Sequence, residues 1–178
     1  MELDPVEITR ILDNAASAPH TDAKGKAYEE LAVYLFESIP GCYTEHDVTS
    51  VFQSEQVDVA VGNDKRADGV PILPYVMLVE CKDWSSPVNS TVVGYFTNIL
   101  ANRSVELGIL IAANGITGDR RSFTNAHALG PPGMARGIKI IVVTTDEIAR
   151  LTCTSDWIDL LKRRFLLAVA TGGIGIGP

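Results

Sequence analysis

The chain has 178 residues and a formal net charge of −7, with 46% hydrophobic and 21% charged residues. These proportions are typical of a globular domain and exclude a wholly disordered chain. No apolar run reaches the roughly 18 residues that a membrane span needs, so we expect no membrane association. The acidic first residues lack the apolar core of a signal peptide, which predicts a cytoplasmic protein.

Cysteine and charge exclude further classes. Cys42, Cys81 and Cys153 are odd in number and lack the spacing of a disulfide framework or a zinc site. An acidic chain also repels a polyanion at long range, which disfavours nucleic-acid binding by phosphate neutralisation alone. We interpret the basic clusters at 65–66, 120–121 and 162–164 as solvated surface charges.

Helix patterns open the chain. Asp4 before Pro5 is typical of a helix start, and the spacing of the following apolar residues predicts a short helix that buries Val6, Ile8, Ile11 and Leu12. A second helix is predicted over residues 22–38, because apolar residues recur there every three or four positions. Pro40-Gly41 ends it.

Strand patterns follow. Residues 56–61 alternate between valine and smaller or polar residues, and residues 75–82 are apolar until Glu80. The turn-rich segment between them predicts an antiparallel hairpin. The remaining elements are predicted as a helix over 90–103, a strand over 107–113, a helix over 117–129, a strand over 138–143, a helix opened by a Thr144/Glu147 capping box, and a last helix over 155–170 before an irregular glycine-rich tail.

This order of elements predicts an α/β fold: a mixed sheet with an antiparallel hairpin, strand–helix–strand crossovers and helices on both faces. Crossovers of this length usually join parallel strands. We divide the chain into an N-terminal helical arm (1–21), a core (22–152) and a C-terminal helix with its tail (153–178).

Glu80 and Lys82 are the residues most suggestive of chemistry. They lie two apart on a predicted strand, so their side chains leave by the same face. A hairpin centred near Gly69 sets Asp58 opposite Glu80, with Cβ atoms about 4.5–5.5 Å apart. Facing carboxylates repel each other unless a cation lies between them. Oxygen ligands without a Cys/His cluster favour Mg²⁺ or Mn²⁺.

Glu29 is a candidate third carboxylate, because it lies at the edge of the packed face of the second predicted helix. The alternative is an ordinary solvated glutamate on a helix surface.

Several segments together resemble the restriction-endonuclease-like nucleases with a PD-(D/E)xK motif, and most closely the Mrr-like endonuclease domains. The similarity rests on Lys24–Leu31 (KGKAYEEL), Gln56–Val59 (QVDV) and Val79–Lys82 (VECK), with further likeness over 108–117. It spans residues 24–145 and makes the core nuclease-like.

The resemblance implies roles for these positions. Asp58, Glu80 and the backbone carbonyl of Cys81 would bind the metal, and Lys82 would orient or activate the attacking water and stabilise developing negative charge. Glu29 would bind a second metal or a water on the metal. Two features depart from the family: Val57 replaces a frequent proline, and the start of the next helix offers Asn89, Ser90 or Asn98 where a glutamine is common.

We therefore expect a Mg²⁺- or Mn²⁺-dependent endonuclease that hydrolyses phosphodiester bonds in DNA, with a role in defence against foreign DNA. Two alternatives stay open: an inactive nuclease fold that serves as a binding or assembly module, and a nuclease acting on RNA or branched DNA. The second half of the last helix is apolar on every side, which predicts a homodimer contact or a docking site for a partner domain through Phe165, Leu166 and Val169.

Overall fold

A computed structural model describes residues 2–49, 56–118 and 124–177. Its strands are β1 (Cys42–Thr49), β2 (Gln56–Asn63), β3 (Val76–Lys82), β4 (Leu107–Ala112) and β5 (Lys139–Val143). Its α-helices are α1 (Pro5–Ala16), α2 (Thr21–Glu37), α3 (Ser90–Asn102), α4 (Gly130–Ala135), α5 (Thr145–Ile148) and α6 (Thr154–Thr171). Within these ranges, no helix combines the length and apolarity needed to cross a bilayer.

The described strands form a single mixed sheet in the order β1-β2-β3-β4-β5. The first three strands are antiparallel neighbours, and β3, β4 and β5 run parallel. The predicted hairpin and crossovers are therefore confirmed. Strand β1 was not predicted, because an edge strand rich in exposed polar side chains lacks the apolar alternation by which strands are recognised.

Helices cover both faces of the sheet, as predicted. On one face, α1, α2 and α6 bury a large cluster that includes Ile8, Leu31 and Trp157. On the other face, α3 buries Phe96 and Leu100 against the sheet. Strands β4 and β5 lie between both layers, which explains their continuous apolar runs. The division into arm, core and C-terminal segment stays a prediction.

The predicted helix starts follow the expected capping chemistry. The Asp4 carboxylate accepts a hydrogen bond from the Val6 backbone N–H at 2.8 Å, and Thr144 forms a reciprocal capping box with Glu147. The prediction that Val6 is buried is wrong, because its side chain is 74% exposed. Ile8 and Ile11 share the inward face of α1, and Val6 lies outside this spacing.

The prediction of a helix over 117–129 is wrong for those of its residues that the structure describes. Residues Asn125–Leu129 form a 3-10 helix, and α4 begins at Gly130, where the sequence predicted a stop. Pro131 and Pro132 fall in the first turn of α4, where a missing backbone N–H costs nothing. Residues 119–123, which include the basic pair Arg120-Arg121, lie outside the described residues.

The glycine-rich tail, predicted to be irregular, makes an ordered contact with the sheet. Gly175 forms a parallel bridge with Ile141, and the Val142 N–H donates to the Gly175 carbonyl at 2.8 Å. Ile174 is 2% exposed. The tail therefore covers the β5 edge and satisfies backbone groups that would otherwise be unpaired.

Arg164 corrects the interpretation of 162–164 as solvated charges. Its side chain is buried, and its Nη2 atom donates to Oε1 of Glu147. Arg164 lies on the inward face of α6 together with Leu161 and Ala168. The helical repeat thus carries it into the interior, where the Glu147 carboxylate compensates its charge.

Two glycines test this packing. A Cβ on Gly175 would lie 2.1 Å from the Arg164 carbonyl oxygen, whereas a Cβ on Gly25 in α2 meets nothing within 4 Å. We expect Gly175→Ala to lower the free energy of unfolding by about 2 kcal/mol through overpacking. Gly25→Ala should raise it by about 0.5–1 kcal/mol, because alanine favours the helix. Urea denaturation of both variants measures this contrast, and equal effects of the two substitutions would contradict the close tail packing.

Candidate active site

The register between β2 and β3 brings Asp58 to Glu80. Val59 pairs with Val79 and Ala60 with Leu78, which is the predicted hairpin register. Asp58 directly precedes Val59 on β2, and Glu80 directly follows Val79 on β3, so both lie next to this pair. There the Asp58 carboxylate accepts a hydrogen bond from the Cys81 backbone N–H at 2.7 Å. The Asp58 side chain therefore links β2 to β3 next to Glu80.

Glu80 and Lys82 form an ion pair on β3. Their Oε1 and Nζ atoms are 2.5 Å apart, and the two side chains are 11% and 22% exposed. The preceding residues of β3, from Met77 to Val79, are buried and apolar. The strand thus carries a carboxylate and an ammonium to the margin of the core, where each compensates the charge of the other.

The electrostatics of the cluster follow from burial and proximity. Burial, and next the neighbouring Asp58 carboxylate, raise the pKa of Glu80 above its ordinary value. Burial alone would lower the pKa of Lys82, but attraction to the Glu80 carboxylate and the hydrogen bond that Lys82 donates to it outweigh burial, so the pKa of Lys82 is raised. Among the described residues, the site therefore brings the Asp58 and Glu80 carboxylates together with the Lys82 ammonium.

Glu29 lies on α2, near enough to influence this cluster. Its negative charge contributes, after burial and Asp58, to the raised pKa of Glu80. Glu29 also lines a cleft of about 320 Å³ between α2 and β1. The structure thus brings the fourth predicted residue into the same electrostatic environment, although its role as a metal ligand stays a prediction.

The side chain of Cys81 is a packing residue. Its thiol donates to the Tyr28 carbonyl at 3.5 Å, and burial raises the pKa of this thiol well above its ordinary value. A neutral, buried thiol is a poor nucleophile. Its contribution to the site is its backbone N–H, which binds Asp58.

Sequence reasoning assigned no role to Lys24, which contacts the loop directly after the site. Its Nζ atom donates to the Asp83 carbonyl oxygen at 2.7 Å. Lys24 lies in the segment that resembles the nuclease family, and this resemblance is the sequence feature that could have indicated its place beside the site. Asn89, a candidate for the family's glutamine position, instead caps α3 by accepting from the Val92 N–H at 3.2 Å.

The donor set fits a hard divalent cation. The carboxylates of Asp58 and Glu80 would supply oxygen ligands, and a cation between them would relieve the repulsion that raises the pKa of Glu80. Within the described ranges, no three His, Cys, Asp or Glu side chains gather as a complete metal-binding group. Mg²⁺ commonly uses one or two carboxylates and keeps several waters, so this pair meets its requirement.

The mixed sheet and the two strand carboxylates beside a lysine define a nuclease of the restriction-endonuclease type. The family model for the Mrr catalytic domain, described as a restriction endonuclease, matches residues 21–152. Since this match covers about three quarters of the chain, the chain belongs to the Mrr-type restriction endonuclease family. Comparison with curated proteins found no match. Domains of this type generally use divalent metals.

The repulsion between the carboxylates predicts a stability gain on neutralising Asp58. In the Asp58→Asn variant, the amide oxygen would still accept the Cys81 N–H, but the side chain would not raise the pKa of Glu80. Without metal, we expect Asp58→Asn to increase the free energy of unfolding near neutral pH, because it removes the carboxylate that repels Glu80. Thermal unfolding measures the gain, with Asp159→Asn on the exposed side of α6 as the matched control.

The gain should depend on pH with a definite sign. Because the pKa of Glu80 is raised above 4.5, the folded state binds more protons than the unfolded chain just above that pH. The wild-type protein therefore loses stability as pH rises through this interval. Asp58→Asn reduces that loss, so its advantage should shrink as pH falls toward 4.5 and below. An advantage that is constant with pH would contradict the repulsion.

Proposed function

We propose that this domain is a Mg²⁺- or Mn²⁺-dependent endonuclease that hydrolyses phosphodiester bonds in DNA. The observation that carries the proposal is the cluster of Asp58, Glu80 and Lys82 at the margin of the core. The Asp58 carboxylate accepts a hydrogen bond from the Cys81 N–H at 2.7 Å. The buried Glu80 carboxylate lies 2.5 Å from the Lys82 ammonium. A structural role alone does not account for two carboxylates held together at the margin of a core, since burying like charges is unfavourable.

Each residue then has a distinct role. Asp58 and Glu80 hold the cation, with the Cys81 carbonyl as a further ligand, and the bound cation supplies Lewis-acid chemistry to the phosphate. Lys82, already oriented by Glu80, donates hydrogen bonds that position the attacking water and stabilise the negative charge on the phosphate oxygens. Glu29 completes the site as a ligand to a second cation or to a coordinated water.

DNA is the substrate that family membership supports. The net charge of −7 implies that long-range attraction to DNA is weak. Binding would therefore depend on contacts at the site, on a second copy of the chain, or on a further domain. A cytoplasmic nuclease of this type would meet incoming foreign DNA, which is the basis for proposing a defence role.

The proposal predicts loss of cleavage when the cluster is altered. Asp58→Ala, Glu80→Ala and Lys82→Ala should each reduce Mg²⁺-dependent plasmid cleavage by at least about a hundredfold, because each removes a ligand or a charge-stabilising donor. Glu29→Gln should also lower the rate. Its neighbour Glu30 is exposed and paired with Arg10, so Glu30→Gln is the matched control and should cleave like wild type.

Circular dichroism of each variant verifies that the fold persists. Wild-type protein that cleaves no DNA with Mg²⁺ or Mn²⁺ would favour the inactive binding module. Faster cleavage of RNA or of a branched junction than of duplex DNA would favour the other alternative. Variants as active as wild type would refute the site assignment.

We also propose that α6 mediates a homodimer. Leu166 and Val169 are 64% and 46% exposed, and Phe165 lies partly buried beside the core. Together they leave an apolar surface on the second half of α6. A dimer would present two active sites to the two strands of a duplex.

Sedimentation velocity at micromolar protein tests this second proposal. We expect a dimer that Leu166→Asp converts to a monomer, because a charge in an apolar interface is not compensated. Lys162→Asp, on the polar first half of the helix, serves as the control. A wild-type protein that is monomeric under these conditions would contradict self-association.

A further inference from the structure

A second cleft lies next to the candidate active site, at the carboxyl ends of the parallel strands. It has a volume of about 490 Å³, and its lining residues come from α1, α2 and the segments that follow β3, β4 and β5. Crevices at the carboxyl ends of parallel strands are common binding sites in open α/β sheets. Strand β3 ends at Lys82, so this cleft begins one residue beyond the proposed catalytic lysine.

Side-chain contacts hold the walls of the cleft together. Lys24 donates to the Asp83 carbonyl at 2.7 Å. Asn114 donates from Nδ2 to the Trp84 carbonyl at 2.6 Å. The hydroxyls of Tyr28 and Thr145 are 2.9 Å apart. These contacts tie α2 to the segments after β3 and β5, and the segments after β3 and β4 to each other. The walls of the cleft are therefore fixed to one another by hydrogen bonds.

The described lining indicates what the cleft would accept. Three carboxylates, from Asp13, Asp83 and Asp146, face a single ammonium from Lys24. This charge balance repels a phosphate group. Carboxylates do accept hydrogen bonds from the amino groups of nucleobases, and an amide such as that of Asn114 can bind base edges. The volume is within the usual range for pockets that bind small molecules.

Trp84 supplies a stacking surface in this cleft. Its side chain is 39% exposed although it lies two residues from the buried site. Aromatic side chains that line a groove bind unpaired bases by stacking, irrespective of sequence. An indole left accessible in a polar cleft is suited to this contact.

We propose that this cleft binds an unpaired nucleobase of the substrate strand, stacked on Trp84, next to the phosphate that is cleaved. The proposal extends the proposed nuclease function, because the base would belong to the strand held by Asp58, Glu80 and Lys82. It implies that the domain prefers DNA with unpaired bases, such as a single strand, over a fully paired duplex.

The two tryptophans of the chain make the test direct. Trp157 is fully buried against Phe36, whereas Trp84 is exposed. Fluorescence is measured on the Lys82→Met protein with Mg²⁺, so that the probe stays intact. The probes are an oligodeoxynucleotide of mixed sequence, single-stranded, and the blunt duplex of that sequence.

We expect the single strand to quench tryptophan fluorescence and the duplex to quench it much less. The quenching should persist in Trp157→Phe and vanish in Trp84→Phe. Among the described residues, the indole N–H of Trp157 has no hydrogen-bond partner, so Trp157→Phe breaks none of the hydrogen bonds described. Fluorescence anisotropy with a labelled strand should show about tenfold weaker binding for Trp84→Ala. Trp84→Phe, which keeps a stacking ring, should bind nearly as well as the parent protein.

Other outcomes would overturn the proposal. Equal quenching by single strand and duplex, quenching that survives Trp84→Phe, or unchanged affinity of Trp84→Ala would each show that Trp84 does not stack on an unpaired base. Cleavage by the wild-type protein without these binding signals would refute the base site alone. Binding signals without any cleavage would refute the nuclease proposal alone.

Discussion

The hydrogen bond from the Cys81 N–H to the Asp58 carboxylate is the interaction on which the candidate site depends. It lies just beyond the Val59–Val79 pair, which is the last described backbone pair between β2 and β3 at this end. Here a side-chain carboxylate, and not a backbone carbonyl, accepts the hydrogen bond between the strands. This contact holds Asp58 beside Glu80 despite their mutual repulsion. The backbone N–H of Cys81 thereby positions Asp58, while the Cys81 thiol packs against the Tyr28 carbonyl.

The same contact brings the Asp58 carboxylate to the buried carboxylate of Glu80. Glu80 is carried to the margin of the core by a strand that is otherwise apolar, and its carboxylate is buried beside a second one. Lys82 offsets part of this charge through its 2.5 Å contact with Glu80. Ionisable groups whose pKa values are shifted by burial and by neighbouring charges cluster at functional sites.

Helices from both ends of the chain pack on the sheet that carries the candidate site. Helices α1, α2 and α6 pack on one face of the sheet, while α3 covers the other. At the far edge, the tail closes β5 by bridging Gly175 to Ile141. Arg164 and Glu147 fasten α6 to the one-turn helix after β5. That short helix and the segments after β3 and β4 form the walls of the Trp84 cleft.

The sequence by itself determined the features that depend on local spacing. Capping at Asp4 and Thr144 follows from residues only two or three positions apart. The hairpin register follows from the position of its turn, and with it the neighbourhood of Asp58 and Glu80. Glu80 and Lys82 share a face because a strand has a two-residue period.

Only the tertiary structure decided features that join distant segments. Strand β1 has no strong local signal and exists because β2 provides a partner. Burial of Arg164 depends on Glu147, seventeen residues away. The order of the tail depends on the exposed edge of β5, and the cleft beside Trp84 depends on segments from both halves of the chain. Such contacts depend on how the elements pack, and no local pattern of side chains encodes that packing.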